Sequence, residues 1–378
     1  MKKFFWFVII SFILFEISNV YFIMPMPGSQ QMNSIDLAYF LYTYRWYFRV
    51  LFAGLLLFGS VSTNWKRKWV PAVPITLLAI VIYMTNFKMA ADAMFQQPKQ
   101  VIYKNIYENK IDSNRLVIGV EFNGETKAYP IQLIGYHHLL EDTIGDKVIL
   151  VTYCTVCRTG RVFEPKVNEQ YEQFRLVGMD HFNAIIEDVT TKSWWRQATG
   201  EAIAGKLKGT KLTEVLSKQT SLGKWLHLHP QTLILQADPA FTKHYDSTFK
   251  YESGISKSKL TGTDSLSWKD KSWVIGIKIG DAAKAYDWNR LKKERIIHDT
   301  LNKTPIVLLL AKDNKSFFAF ERPSLSDMFV LKNDTLTMGN NYFQINGAGI
   351  DTKVQLKPIF VYQEFWHSWQ TFQPRTIK

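Results

Sequence analysis

Cys154 and Cys157 stand in the run Val-Thr-Tyr-Cys-Thr-Val-Cys-Arg-Thr-Gly, and no other thiol occurs in 378 residues. A Cys-x-x-Cys turn brings two sulfurs close enough to share one metal ion or to exchange a disulfide, and either use fixes the spacing. An inert structural disulfide is the third reading. The stabilisation expected from a cross-link falls with the length of the loop it closes, and this loop is among the shortest possible. Two thiolates fill half of a tetrahedral zinc shell, so a closed site calls for further nitrogen or oxygen ligands. His137 is the first candidate, with His138 next to it, and His181 and Asp188 are more remote ones. Adjacent helical residues point about 100° apart, so only one of the two neighbouring histidines is expected to face the sulfurs. Copper competes with zinc, because thiolate with imidazole suits both. For thiol redox exchange the informative residue is Arg158, beside the second sulfur, with Arg161 close by; such cations lower a thiol pKa. Tyr136, Tyr153, Trp194 and Trp195 could line a pocket beside the pair, although aromatics so placed also serve as core. There is no Walker-type loop, no serine nucleophile motif and no haem-attachment signature, since Arg158 occupies the position after the second cysteine. Gly339, Gly347 and Gly349 lack the dinucleotide fingerprint.

The elements that must position this pair read mostly as strands. Residues 116–122 alternate around Val and Ile, Asn123-Gly124 is a hairpin signal, and residues 125–129 continue the pair. After Pro130 comes a short helical pattern through Ile131, Ile134, His138 and Leu139, then a strand over 147–153 that leads into the first cysteine. Thr159-Gly160 turns the chain into another strand through Val162 and Phe163. Strands at 174–177 and 184–187 follow, and Ser221 is placed to cap a closing helix that carries Trp225. The expected class is α+β with β dominant.

A shift of 157 positions lays residues 117–164 on residues 274–321 without a gap. Val-Ile-Gly falls on Val-Ile-Gly, Lys-Ala-Tyr on Lys-Ala-Tyr, Asp142-Thr143 on Asp299-Thr300 and Phe163-Glu164 on Phe320-Glu321. Trp225, Pro230 and Thr232 keep the mutual spacing of Trp369, Pro374 and Thr376. The pattern predicts a tandem duplication, with units at 115–235 and 272–378 and a linker at 236–271 rich in Ser, Thr, Gly, Lys and Asp. At the equivalent positions of the second unit, Ala311 and Asn314 replace the cysteines, and Glu294 and Arg295 replace His137 and His138. The scaffold is therefore not expected to need these residues for folding.

Three apolar stretches crowd residues 1–88, at 4–24, about 47–63 and about 69–86, each near the length of a bilayer-spanning helix. They predict a three-helix membrane anchor, joined to the first unit by a connector at 89–114. A cleaved signal peptide is the rival for the first stretch, but no Ala-x-Ala-like site follows it. Lys2, Lys3 and the cluster Lys66-Arg67-Lys68 orient the bundle with those ends in the cytoplasm. An odd number of spans then delivers the rest outside the cytoplasmic (inner) membrane, in the periplasm or its equivalent, where thiols tend to be oxidised. Residues 1–88 hold eight Lys or Arg and two Asp or Glu, which leaves 38 basic against 31 acidic groups in the remainder. That mild excess is spread along the chain without a basic run interleaved with aromatics, which argues against a nucleic-acid partner.

Several short runs resemble the bacterial membrane-anchored or secreted family catalogued as domain of unknown function 3179. They are Asn123-Gly124-Glu125, Ala128-Tyr129-Pro130, the stretch 137–143, Tyr153-Cys154 to Thr159, Asn183, Asp188, Trp195-x-Gln197, the stretch 200–205 and His229-Pro230-x-Thr232. The resemblance is strong over 115–235 and weak over the second unit. Members typically read Tyr-Cys-Pro-x-Cys-Gly-Thr, whereas here Thr155 replaces the proline and Arg158 the glycine. The family's spelling is similar to a metal-binding knuckle, and His137 occupies its histidine position; the resemblance implies no reaction. The reading is thus an integral membrane protein whose extracytoplasmic part carries a Cys-x-x-Cys site for zinc or copper binding or for thiol redox exchange, its small-molecule substrate open. The alternative is a non-catalytic module with a structural disulfide that binds an envelope protein.

Overall fold

The structure, a computed structural model, describes residues 1–378. It is α+β with many small sheets, and its chain divides into two compact units. One comprises Met1–Gln96, Glu172–Arg196 and Glu201–Lys211; the other comprises Gln97–Tyr171, Gln197–Gly200 and Leu212–Lys378.

The first unit begins with α1 (Lys2–Tyr21), α2 (Ile35–Val61) and α3 (Ala72–Tyr83), the last running on into a π-helical stretch, Met84–Lys88. α1 is the one helix long and apolar enough to cross a membrane, a composition shared by anchors and signal sequences. α2 starts well before the apolar stretch expected at residue 47, because an aromatic-rich segment around Tyr39 and Tyr42 continues the helix toward its N-terminus. Phe12 stacks on Phe52 with ring centroids 5.2 Å apart, and Phe15 packs on Phe48. Glu16 is fully buried between the helices, where Arg49 donates to both its oxygens at 2.7 and 2.8 Å and Asn86 donates at 3.0 Å. A buried carboxylate is tolerable only when so paired.

An antiparallel sheet completes this unit, in the order Ala202–Ala204, Trp194–Arg196, Asn183–Asp188, Phe174–Asp180. The expected unit at 115–235 is therefore not continuous, since 172–196 and 201–211 associate with the N-terminal helices. The reason is specific packing. Trp194 meets Tyr39 and Tyr42 edge-on, the Met179 N–H donates to the Ile23 carbonyl at 2.8 Å, and Gly178 lies so close to Ile23 that a Cβ would collide with its backbone.

In the second unit, Leu116–Phe122 and Glu125–Pro130 form the expected hairpin, with Asn123 and Gly124 at φ 49° and 81°. A helix, Ile131–His137, leads to the three strands Leu139–Ile144, Lys147–Cys154 and Thr159–Phe163. The later strands repeat these registers 157 positions on: Val117↔Pro130 becomes Val274↔Asp287, Leu139↔Thr152 becomes Ile296↔Leu309, and Leu150↔Phe163 becomes Val307↔Phe320. The helices Ile131–His137 and Trp288–Glu294 end alike, at His138 with φ 64° and Arg295 with φ 66°. Each hairpin is closed by an antiparallel strand and a helix, Ser217–Ser221 with Leu222–Leu228 and Val361–Phe365 with Trp366–Phe372. Trp225 and Trp369 on those helices lie over Gly119 and Gly276, where a Cβ would overlap the indole. The Ser221 hydroxyl caps its helix by accepting from Lys224 N at 3.1 Å.

The 236–271 segment is more than a spacer. Phe241, Tyr245 and Tyr251 join the core of the first hairpin, and Glu252 is buried against Arg115 at 2.7 Å and the Leu116 N–H at 2.8 Å.

Candidate functional site around the cysteine pair

Cys154 ends the strand Lys147–Cys154 opposite Thr159, and residues 155–158 form the turn between them, with Arg158 at φ 57°. Both sulfur-bearing residues are buried, and no disulfide joins them. Thr155 is the only residue of the turn with appreciable exposure.

The surroundings of the turn come largely from the end of the chain. Phe365 N donates to the Cys157 carbonyl at 2.9 Å. Thr159 Oγ1 and Ser368 Oγ donate to the two oxygens of Glu364, each at 2.8 Å, and Arg161 pairs with the same carboxylate. Lys271 Nζ donates to the Val156 carbonyl at 2.9 Å and to the Leu260 carbonyl at 2.7 Å, and lies 3.2 Å from His367 Nε2. The same imidazole nitrogen is 3.2 Å from the Val156 carbonyl. Gln197 supports the strands from the other side, donating to Thr152 Oγ1 at 2.9 Å and the Thr159 carbonyl at 3.2 Å.

Electrostatically, burial pushes the Cys157 thiol well up, and the neighbouring Cys154 adds to the rise. Burial pulls the Lys271 ammonium down, while both sulfurs act to keep it charged. The His367 imidazole is driven down to about 4 by burial and then by Lys271, so it is neutral at pH 7. A buried thiol, a neutral imidazole and a lysine side chain therefore meet at the turn.

The sequence candidates fall differently. Arg158 is fully buried, its guanidinium stacked 3.6 Å from the Trp273 ring centroid and donating to Gln363 Oε1 at 3.0 Å and the Tyr251 carbonyl at 3.0 Å. It ties the turn to its neighbours. His137 Nε2 lies 2.8 Å from the Tyr245 hydroxyl. His138 Nδ1 lies 3.1 Å from the Tyr153 carbonyl, and burial lowers its pKa to about 4. His181 and Asp188 belong to the other compact unit: His181 Nδ1 is 2.7 Å from Asp180, and Asp188 accepts from Thr191 N at 2.5 Å and Trp195 Nε1 at 2.9 Å. Of the expected aromatics, Tyr153 meets Tyr251 edge-on and Tyr136 stacks on His244. Trp195 packs on Phe174 within the first unit. No group of three or more His, Cys, Asp or Glu side chains is placed to hold a metal ion.

Lys271, Glu364, His367 and Ser368 carried no local signal. Their one trace was the repetition of the sequence pattern, by which the strand before Trp369 pairs as the strand before Trp225 does. No curated protein and no solved structure matches the chain. A family model described as "Protein of unknown function (DUF3179)" matches residues 96–376, and the chain belongs to that family.

Proposed function

We propose that this is a membrane-anchored extracytoplasmic protein whose Cys154–Cys157 pair cycles between dithiol and disulfide. The observation that carries the reading is Lys271, whose Nζ donates to the carbonyl of Val156, between the two cysteines, at 2.9 Å, in a turn whose neighbours form no group of three metal-ligating side chains. A cation beside a thiol pair favours the thiolate needed for exchange and opposes an incoming metal cation. In the exchange, the Cys154 thiolate attacks one sulfur of a partner disulfide, forming a mixed disulfide and expelling one partner thiolate. Cys157 then gives up its proton and attacks Cys154 Sγ, closing the internal disulfide and releasing the second thiolate. The pair loses two electrons and two protons, and the partner disulfide becomes two thiols. Because Cys154 is 2% exposed, the turn must open locally for a partner to reach it.

The finer architecture belongs to the same proposal. Three N-terminal helices form the anchor, and the two strand-and-helix repeats are copies of one ancestral unit, as the 157-residue repetition of registers supports. The sheet at 174–204 touches the 22–42 segment, on the side of the helices expected outside.

The test is to equilibrate the purified full-length protein in glutathione redox buffers, trap thiols with a mass-tagged maleimide and measure bound metals in the same sample. A single two-electron transition between 0 and 2 tagged thiols, without stoichiometric metal, supports the proposal. One equivalent of zinc or copper that protects both sulfurs overturns it.

A further inference from the structure

Within the first unit a cavity of about 280 Å³ opens among α1, α2, the π-helical stretch and the strand Phe174–Asp180. Its polar lining is Asn19, Tyr42, Arg45, Asn86, Asp92, Arg175 and Thr85, whose hydroxyl donates to the Val81 carbonyl at 2.9 Å. Asn86 belongs to the satisfied cluster with Glu16 and Arg49, so the cavity wall there is already neutral. Arg175 is fully engaged, pairing with two carboxylates, Asp92 at 2.9 Å and Glu187 at 2.8 Å, and donating to the Tyr42 hydroxyl at 2.6 Å.

Two groups are left over. Arg45 stacks 3.7 Å from the Tyr42 ring centroid and donates to the Tyr42 carbonyl, but forms no ion pair. Asn19 is 8% exposed and donates through Nδ2 to the Phe15 carbonyl at 2.9 Å, while its buried Oδ1 accepts nothing from the protein. The cavity therefore offers one guanidinium that pairs with no carboxylate and one unfilled acceptor, and a buried polar group left so is costly until a donor reaches it.

We infer that this cavity binds a monoanionic phosphodiester that carries a hydroxyl group, the headgroup chemistry of phosphatidylglycerol. One negative charge matches Arg45, whose planar fork suits two phosphate oxygens, and the hydroxyl supplies the donor that Asn19 Oδ1 lacks. The source is taken as lipid because all the helical lining residues lie at the ends placed outside in the three-span reading, at headgroup depth; this part rests on that reading.

The experiment uses full-length protein in nanodiscs of phosphatidylglycerol mixed equally with phosphatidylcholine, followed by detergent extraction and mass spectrometry of retained lipid. Retained lipid should be enriched at least tenfold in phosphatidylglycerol, lose that enrichment in Arg45→Ala and Asn19→Leu, and keep it in Arg45→Lys and in the control Arg67→Ala. Soluble glycerophosphoglycerol added to lipid-stripped protein forms a second arm; Arg45-dependent binding there supports the same chemistry from a soluble source. Equal retention of the two lipids, or enrichment untouched by Arg45→Ala, overturns the inference. A reporter fused after Lys378 reads topology separately, so a failed anchor reading is told apart from a failed binding site.

Discussion

The backbone N–H of Phe365 donates to the carbonyl of Cys157 at 2.9 Å, so the turn that holds the sulfurs is pinned by the last strand of the chain. The relationship has a counterpart at the cysteine-free turn of the second repeat. There Ser221 N donates to Ser316 Oγ at 2.9 Å and Ser221 Oγ to Asp313 Oδ2 at 2.6 Å. Each repeat thus lays its closing strand and helix against the other repeat's turn, and chemistry at Cys154 is coupled to packing between the repeats.

Glu364 is the electrostatic centre of that contact, 1% exposed and paired with Arg161, which is 4% exposed. Glu364→Ala leaves a buried guanidinium without its main partner, a change that costs about 3–5 kcal/mol. Denaturant unfolding should show that loss, with Glu364→Gln milder because Thr159 and Arg161 keep an acceptor. Tagging of the cysteines should accelerate in parallel; stability near wild type in Glu364→Ala would remove the coupling.

Lys271 sets the redox balance in the proposed exchange. Its charge stabilises a thiolate at the turn, and so the reduced state, which makes the pair more oxidising. Lys271→Met removes that help. The reduction potential should fall and tagging at pH 7 should slow relative to wild type. Unchanged values in the glutathione titration would leave Lys271 a packing residue.

Gly119 and Gly276 predict a matched pair of defects. Each lies under an indole, Trp225 and Trp369, with no room for a methyl group. Gly119→Ala and Gly276→Ala should each cost about 1–3 kcal/mol through overpacking, and Trp225→Leu should relieve the first only. Thermal unfolding of the single and paired variants checks this, and loss of rescue would point to backbone strain instead.

The hairpin around Asn123-Gly124, the helix ending at His138 and the cap at Ser221 were legible because each depends on residues close in sequence. Identities such as Lys-Ala-Tyr have a visible reason: Lys127 and Tyr129 both bind Asp142, as Lys284 and Tyr286 bind Asp299. What was not legible depends on distant partners. Nothing near Cys157 announces Lys271 or Glu364, and nothing in the Phe174–Asp180 and Asn183–Asp188 strands announces that Ile23 and Tyr39 meet that sheet. Arg158 was misplaced for the same reason. Its neighbour in sequence is a sulfur, but its partners in space are Trp273 and Gln363.

Acid should weaken the second unit through His138. Burial holds its folded pKa at about 4 against an unfolded value near 6.5, so the unfolded chain binds the extra proton between those values. Its stabilising effect is complete above about pH 6.5 and is lost as pH falls toward 4, by about 2–3 kcal/mol. Because residue 138 has φ 64°, asparagine is the replacement that tolerates the backbone. His138→Asn should flatten the fall in stability between pH 6.5 and 4 relative to wild type. Parallel curves for the two proteins would show that other groups carry the acid response.

Removing the sulfurs separates their chemistry from folding. Ala311 and Asn314 stand in the second repeat where Cys154 and Cys157 stand in the first, and that repeat builds the same strand pairing without them. Cys154→Ala with Cys157→Ser should therefore leave the protein folded, with the cost confined to two small buried groups, about 1–2 kcal/mol in all. Circular dichroism and thermal unfolding should stay close to wild type while the two-electron transition in glutathione buffers disappears. If the double variant unfolds under conditions where the wild-type pair is oxidised, the bond is a staple and the binding-module alternative takes the place of redox exchange. If it folds but still shows a redox transition, the reagent is reporting something other than this pair, since no third cysteine exists in the chain.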